Sequence, residues 1–327
     1  MANPGITVSK DNVKNMLNGF LKQRTLFAPA MNGKKLDYLP VANVDDIVFD
    51  DNLPYKSPKE IFFPKCEKII TFKDGEAEAE ISKEQFVLFG ARPCDLEALE
   101  IMKKVFTQGK FKDPYFQERY DNTLLIGLGC KDKKPGCFCD ERETDMGFCD
   151  KCDLFLEMKG ESYEVAYVSE KGREAFKPYI KGIESFENTP RTFAPAKTLS
   201  IDTTEEDLFA KIEWENIVET CQGCGMCTYI CPTCHCFGFK DVDEGGCASR
   251  YRNWDSCMFP KFTLHASGHN PREEKHDRYR QRIAHKYLYV KKNFGSVACT
   301  GCGRCLRACP AGVNIKTVAE EIMEGLK

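Results

Sequence analysis

The chain has 327 residues, 42% hydrophobic and 30% charged, with a formal net charge of -3. That length suggests roughly two domains and that composition an ordinary buried core, while the near-neutral balance excludes wholesale charge attraction to nucleic acid or an anionic membrane. The nineteen cysteines are the anomaly: MANPGITVSK lacks both a basic start and an apolar core, so a reducing cytoplasm is expected, where clustered thiols bind metal instead of pairing as disulfides.

Residues 1–195 read as an α/β domain whose strand order stays open. KEIFFPKCEKIITF predicts paired strands, with Cys66 a buried structural thiol. EQFVLFGARPCDLEALEIMKKVF predicts strand, turn and helix. In that helix Leu96, Leu99, Met102 or Lys103, and Phe106 recur near the helical period, and Asp95 is placed to cap its start. NTLLIGLGC predicts a second buried strand, and SYEVAYVSEKGREAFKPYI a strand followed by a helix. The longest apolar runs, FVLFGA and TLLIGLG, are far too short to span a bilayer. ENTPRTFAPAKTLSIDTT reads as a linker, after which Thr203 and Glu206 predict a capping box for a helix through LFAKIEWENIVET.

That helix leads to CQGCGMCTYICP at 221–232, and CTGCGRCLRACP at 299–310 repeats it. C-x2-C-x2-C-x3-C-P is the bacterial ferredoxin run, in which three cysteines hold one [4Fe–4S] cluster and the fourth crosses to the other. The expected sets are Cys221, Cys224, Cys227 and Cys309 for the first cluster, and Cys299, Cys302, Cys305 and Cys231 for the second. A zinc ribbon needs only two C-x2-C pairs and leaves the third and fourth cysteines and both prolines unexplained. Residues 196–327 thus read as a ferredoxin-like two-cluster domain with an insertion at 232–298.

The insertion opens CPTCHCFGFKD and continues to Cys247 and to Cys257 of RNWDSCMF. Cys234, Cys236 and Cys257 predict either a further cluster, with Cys247 or His269 as fourth ligand, or thiols packed around the first two clusters. The basic stretch 272–292 places Tyr279, Ile283 and Val290 on one helical face, so a packed helix with a solvated basic side is expected; docking of an acidic partner is the alternative. In the first domain Cys94 and Cys130 each follow a predicted strand, and ligands of open α/β sheets bind at carboxyl strand ends. With Cys137 and Cys139 on the loop KDKKPGCFCD they form the expected ligands of a third cluster. Cys149 and Cys152 of GFCDKCD either replace two of these or bind zinc separately.

No strand is followed by G-x-G-x-x-G, and neither a P-loop nor a C-x-x-C-H haem site occurs. Clusters without a hydride or substrate site describe a wire between partners, with a flavin on another chain as the converter from hydride to single electrons.

CPTCHCF, the W-D-S-C ending at Cys257, GHNPR from Gly268, RQRIAHK, RPCD at 92–95, and the C-x6-C-x-C of Cys130, Cys137 and Cys139 together carry a resemblance over about residues 55–310. The chain resembles the electron-transfer subunit of anaerobic sulfite reductase and the β subunit of cytoplasmic sulfhydrogenases; the pair Cys149 and Cys152 departs from that pattern. The resemblance implies an electron-transfer protein with ferredoxin-type clusters, sitting between a flavin subunit that takes electrons from NAD(P)H and a catalytic subunit. The expectation is therefore a cytoplasmic relay in a sulfite reductase or hydrogenase complex, binding no nucleic acid and entering no membrane. The alternative is a catalytic reductase with a cysteine-ligated active-site cluster of its own.

Overall fold

The computed structural model describes residues 6–179, 198–243 and 245–326, and most of the stretch read as a linker lies outside them. Eleven strands are described: β1 (Ile6–Ser9), β2 (Thr25–Asn32), β3 (Lys35–Pro40), β4 (Cys66–Lys73), β5 (Glu76–Ala79), β6 (Phe86–Ala91), β7 (Thr123–Leu128), β8 (Leu154–Lys159), β9 (Ser162–Tyr167), β10 (Phe237–Asp243) and β11 (Cys247–Trp254). They form a seven-stranded sheet in the order β1-β9-β8-β7-β6-β2-β3 and a four-stranded sheet in the order β10-β11-β4-β5.

In the larger sheet β2, β6, β7 and β8 run parallel, with antiparallel strands at both margins. FVLFGA and TLLIGL are buried along their whole length because helices cover both faces. The helix Lys10–Leu21, capped by Ser9, packs Val13, Met16, Leu17 and Phe20 against Leu124, Ile126 and Leu128. The helix Pro93–Thr107 packs Leu96, Leu99, Met102 and Phe106 on the opposite face with Leu125.

The small sheet joins the two halves of the chain. Strands β10 and β11 come from the 232–298 insertion, and β11 pairs with β4 from Cys247↔Lys73 to Asn253↔Cys66. Behind this seam Phe63 stacks on Trp254 at 5.9 Å, and the buried Arg252 donates to Glu67 at 2.6 Å.

Four local expectations change. KEIF forms a helical turn, Lys59–Phe62, and Pro64 separates it from β4. Cys66 opens β4 but is exposed. Arg92 occupies the N-cap of the helix Pro93–Thr107, and Asp95 turns its carboxylate to Arg304 instead. Thr204, not Thr203, caps the next helix by accepting from Asp207 N at 3.1 Å; that helix stops at Ala210, and Trp214 starts another turn.

Each cysteine run makes a glycine turn followed by a short helix, Met226–Tyr229 in the first and Arg304–Arg307 in the second. The helix Lys275–Ala284 continues through a π-turn, His285–Tyr289, and packs with the helix Ile315–Gly325 in a second core. Among the described residues no helix is long and apolar enough to cross a membrane.

Candidate metal centres

The first run wraps a cavity lined by Cys221, Cys224 and Cys227, and Cys309 reaches it from the second run. Met258, Tyr279 and Ile315 make its walls largely apolar. Gly225 has φ 73°, and a Cβ there would meet the Phe259 ring at 2.7 Å, so both backbone and space require glycine. Amides point at sulfur: Gly223 N donates to Cys221 Sγ at 3.4 Å and Val313 N to Cys309 Sγ at 3.3 Å. Such bonds favour a thiolate and help set the potential of a cluster it holds.

Cys299, Cys302 and Cys305 gather with Cys231. Burial pushes the Cys305 thiol up to about 12; Arg282 opposes that, while Cys231, Cys302 and Cys299 add to it. Burial likewise pushes Cys302 up to about 11. Cys231 runs the other way: a hydrogen bond from Cys234 holds it well below the thiol range despite burial, and Lys286 Nζ donates to its sulfur at 3.0 Å.

Cys94, Cys130, Cys137 and Cys139 line a third cavity at the carboxyl ends of the neighbouring parallel strands β6 and β7. Cys94 lies in the first turn of the helix Pro93–Thr107, and Cys130 two residues beyond β7. Burial pushes Cys130 up to about 11 and Cys139 up to about 12, so metal binding here must displace protons. Cys149 and Cys152 do not line this cavity; they pack among Leu125, Phe155 and the helix Pro93–Thr107. Cys149 Sγ faces Glu97 Oε1 at 3.7 Å, whereas Cys152 Sγ turns to Cys149 O at 3.4 Å. Ligand atoms of Glu97, Cys149 and Asp150 lie within 4.8 Å of one another, so the thiol nearest to a zinc-like set has carboxylates for neighbours rather than Cys152.

The third cavity abuts the second run. Phe138 N donates to Gly301 O at 2.8 Å, and Cys137 Sγ lies 3.4 Å from Cys302 O. A Cβ on Gly303, at φ 68°, would lie 2.3 Å from Gly136 O, so the two loops meet backbone to backbone. Arg304 and Asp95 lock this contact with a fully buried two-pronged ion pair, at 2.5 and 2.9 Å.

Cys234, Cys236 and Cys257 form a fourth group. The register Phe237↔Trp254 sets the two ends of the β10–β11 hairpin side by side, which brings Cys236 and Cys257 close enough for Cys257 to hold the Cys236 thiol down to about 7. Cys247 lies at the other end of this hairpin, opposite Lys73. His269 is exposed, with its ring against His265. Neither joins the group; the further thiol beside it is Cys231, which pushes the Cys234 pKa up.

The basic helix also departs from expectation. Arg278, Arg282 and Lys286, spaced i, i+4, i+8, are only 7%, 2% and 3% exposed, so this face points into the protein. Arg282 lines the first cavity, feels Cys227 and Cys305 from the two runs, and leaves Nε and Nη2 without partners. Lys286 reaches Cys231 Sγ, Thr233 Oγ1 and Ala298 O, and the buried Lys59 reaches the carbonyls of Thr228, Tyr229 and Cys234. Among the described residues none of these three cations bonds a carboxylate. A buried charge without a counter-charge costs several kcal/mol, of order ~3–5 when a pair is broken. Anionic thiolate-bound clusters supply that counter-charge, so the residues fit such groups.

Residues 220–313 match the family model of the 4Fe-4S dicluster domain. Over 319 residues, 92% of this chain and 93% of the relative, the sequence is 30% identical to sulfhydrogenase 2 subunit beta of Pyrococcus furiosus. No solved structure matches the chain.

Proposed function

The chain belongs to the family of the sulfhydrogenase 2 β subunit, with an iron–sulfur dicluster domain, and from that premise we propose that it relays single electrons between two partner chains of a cytoplasmic oxidoreductase. Clusters held by Cys221, Cys224, Cys227 and Cys309 and by Cys299, Cys302, Cys305 and Cys231 form the inner relay. Cys94, Cys130, Cys137 and Cys139 hold a third cluster. Iron–sulfur clusters exchange one electron at a time, so a flavin on a partner is needed wherever a nicotinamide hydride enters or leaves.

The observation that carries this reading is the third cavity. Four cysteines from two separate segments, the helix start at Cys94 and the loop from Cys130 to Cys139, converge at the strand ends, and that loop lies directly on the second run. The order along the relay is then N-terminal site, second run, first run. The protein's own groups keep these sites close: Arg304 and Asp95 clamp the first joint, and Arg282 lines one cavity with Cys227 and Cys305 at the other. Each end has a separate way out. Cys224 is exposed beside Met226, which is 40% exposed, and Lys133 and Lys134 rim the N-terminal cavity. Two exits suit two partners, a flavin-bearing NAD(P)-binding chain and a catalytic chain of the hydrogenase or sulfite reductase kind.

The test is anaerobic purification of the whole chain, with iron counting and EPR of the reduced protein. Cys94→Ser should remove about four irons and one EPR signal while both ferredoxin-type signals persist. An unchanged iron count in that variant would remove the third cluster and shorten the relay to two. Chains that co-purify from the native source should include one with bound flavin; a chain that purifies alone would contradict the relay.

A further inference from the structure

We propose that Cys234, Cys236 and Cys257 hold an additional polynuclear iron–sulfur centre, joined to the second ferredoxin-type site by sharing the Cys231 thiolate, with Lys59, Arg282 and Lys286 as its built-in counter-charge. The proposal rests on the reading of Cys231, Cys299, Cys302 and Cys305 as ligands of the second cluster.

The thiols meet by construction. The β10–β11 hairpin brings Cys236 and Cys257 together across twenty-one positions of sequence, and the turn after Cys231 returns Cys234 to it. The result is two neighbouring pairs, Cys231 with Cys234 three residues on and Cys236 with Cys257 across the hairpin end, with Cys234 also acting on Cys257. A lone zinc ion would need its thiolates ~3.8 Å apart, given Zn–S bonds of about 2.3 Å. Among the described residues no three of these sulfurs lie within 4.8 Å of one another. Two pairs set apart from each other suit a centre with more than one iron.

The counter-charge is specific to this group. Lys59 belongs to the helical turn before β4, yet its ammonium bonds Cys234 O at 3.0 Å and lies 4.0 Å over the Trp254 ring. Its thiol neighbours are Cys234, Cys231 and Cys236, none of which belongs to the first cluster. Lys286 donates to Cys231 Sγ at 3.0 Å, and Arg282 acts on both Cys234 and Cys257. Lys59 is 3% exposed and has carbonyl acceptors and the Trp254 ring but no carboxylate. Carbonyls supply hydrogen bonds but no counter-charge; a centre bounded by Cys234 and Cys236, beside Cys231 of the second cluster, supplies it.

The experiment uses the whole chain, purified anaerobically, with iron and acid-labile sulfide counted and the reduced protein examined by EPR. Cys257→Ala should lose about two to four irons and one EPR signal while both ferredoxin-type signals remain. Cys231→Ser should lose that signal together with the second-run signal. Lys59→Met removes no thiol and should lower the midpoint potential of the additional centre by a tenfold change in its reduction equilibrium, 59 mV for one electron. Full iron in Cys257→Ala, or an unmoved set of potentials in Lys59→Met, overturns the proposal. Loss of a ferredoxin-type signal from the unmodified chain would instead overturn the reading on which it rests.

Discussion

Asp95→Asn tests the joint between the N-terminal domain and the second run. In the native fold Arg304 donates from Nη1 and Nη2 to Asp95 at 2.5 and 2.9 Å, and from Nε to Pro54 O at 3.0 Å. Tyr38 adds a hydroxyl donor to Asp95 Oδ2 at 3.0 Å. Burial works against the Arg304 charge, but Asp95, with Cys302 and Cys94 adding to it, holds the guanidinium pKa well above its ordinary value. Asparagine keeps the shape and one acceptor but removes the charge, leaving the fully buried Arg304 without its carboxylate partner. Breaking one side of such a pair costs about 3–5 kcal/mol, whereas replacing both sides with apolar residues is often neutral. With a urea slope of about 3 kcal/mol/M, the single change should lower the unfolding midpoint by about 1 M or more. Midpoints are read from loss of cluster absorbance under anaerobic conditions. Asp95→Leu with Arg304→Met should recover most of that loss. Because Cys94 adjoins Asp95 and Cys302 lies two residues before Arg304, the single variant should also release iron first from the N-terminal site. A midpoint within about 0.3 M of the parent, or a double variant as weak as the single, refutes the reasoning.

Cys309→Ser should extinguish the EPR signal of the centre at Cys221, Cys224 and Cys227 and spare the one at Cys299, Cys302 and Cys305; damage confined to its own run would refute the crossing of ligands. Arg282→Gln removes a buried cation flanked by Cys227 and Cys305, so redox titration should show both ferredoxin-type potentials falling, by about 59 mV for each tenfold change, and static potentials would contradict its role. Burial holds the His285 pKa down to about 3, with His235, Lys286 and Arg272 adding to the effect. Its imidazole is neutral in the fold, so this contribution to stability is complete above about pH 6.5 and is lost as pH falls toward the folded value, at up to about 1.4 kcal/mol per pH unit. His285→Gln should therefore flatten the fall in thermal midpoint between about pH 7 and 5, and an unchanged slope would contradict the assignment.

What could be read from the chain beforehand was mostly local. Cysteine spacing within each run depends on a few neighbouring residues, and FVLFGA and TLLIGL announce central strands because they are continuous apolar runs apart from Thr123. The placement of Cys94 and Cys130 followed from adjacent strand ends. Long-range pairing was not legible. β4 and β11 meet across more than 170 positions, and nothing in KCEKIITFK names ASRYRNW as its partner. Nor does the RPCD segment signal that Asp95 will leave the helix cap to meet Arg304, because that choice depends on where the second run lands. The inward basic face was visible in principle. Arg278, Arg282 and Lys286 lie on the same side as Tyr279 and Ile283, but a charged stripe is ordinarily solvated, and only the thiols packed against it reverse that rule. KEIF is too short for its period to separate a turn of helix from a strand. Thr203 and Thr204 offer equivalent hydroxyls, and Asp207 decides between them.

The most direct test of the relay is to give the isolated, fully iron-loaded chain reduced viologen together with sulfite, polysulfide or protons, and to follow viologen oxidation. A conductor should take up electrons equal to its clusters and then stop, resuming only when a partner chain is added. Sustained turnover of any of these acceptors by the chain alone would contradict the account and show that it is itself a catalyst.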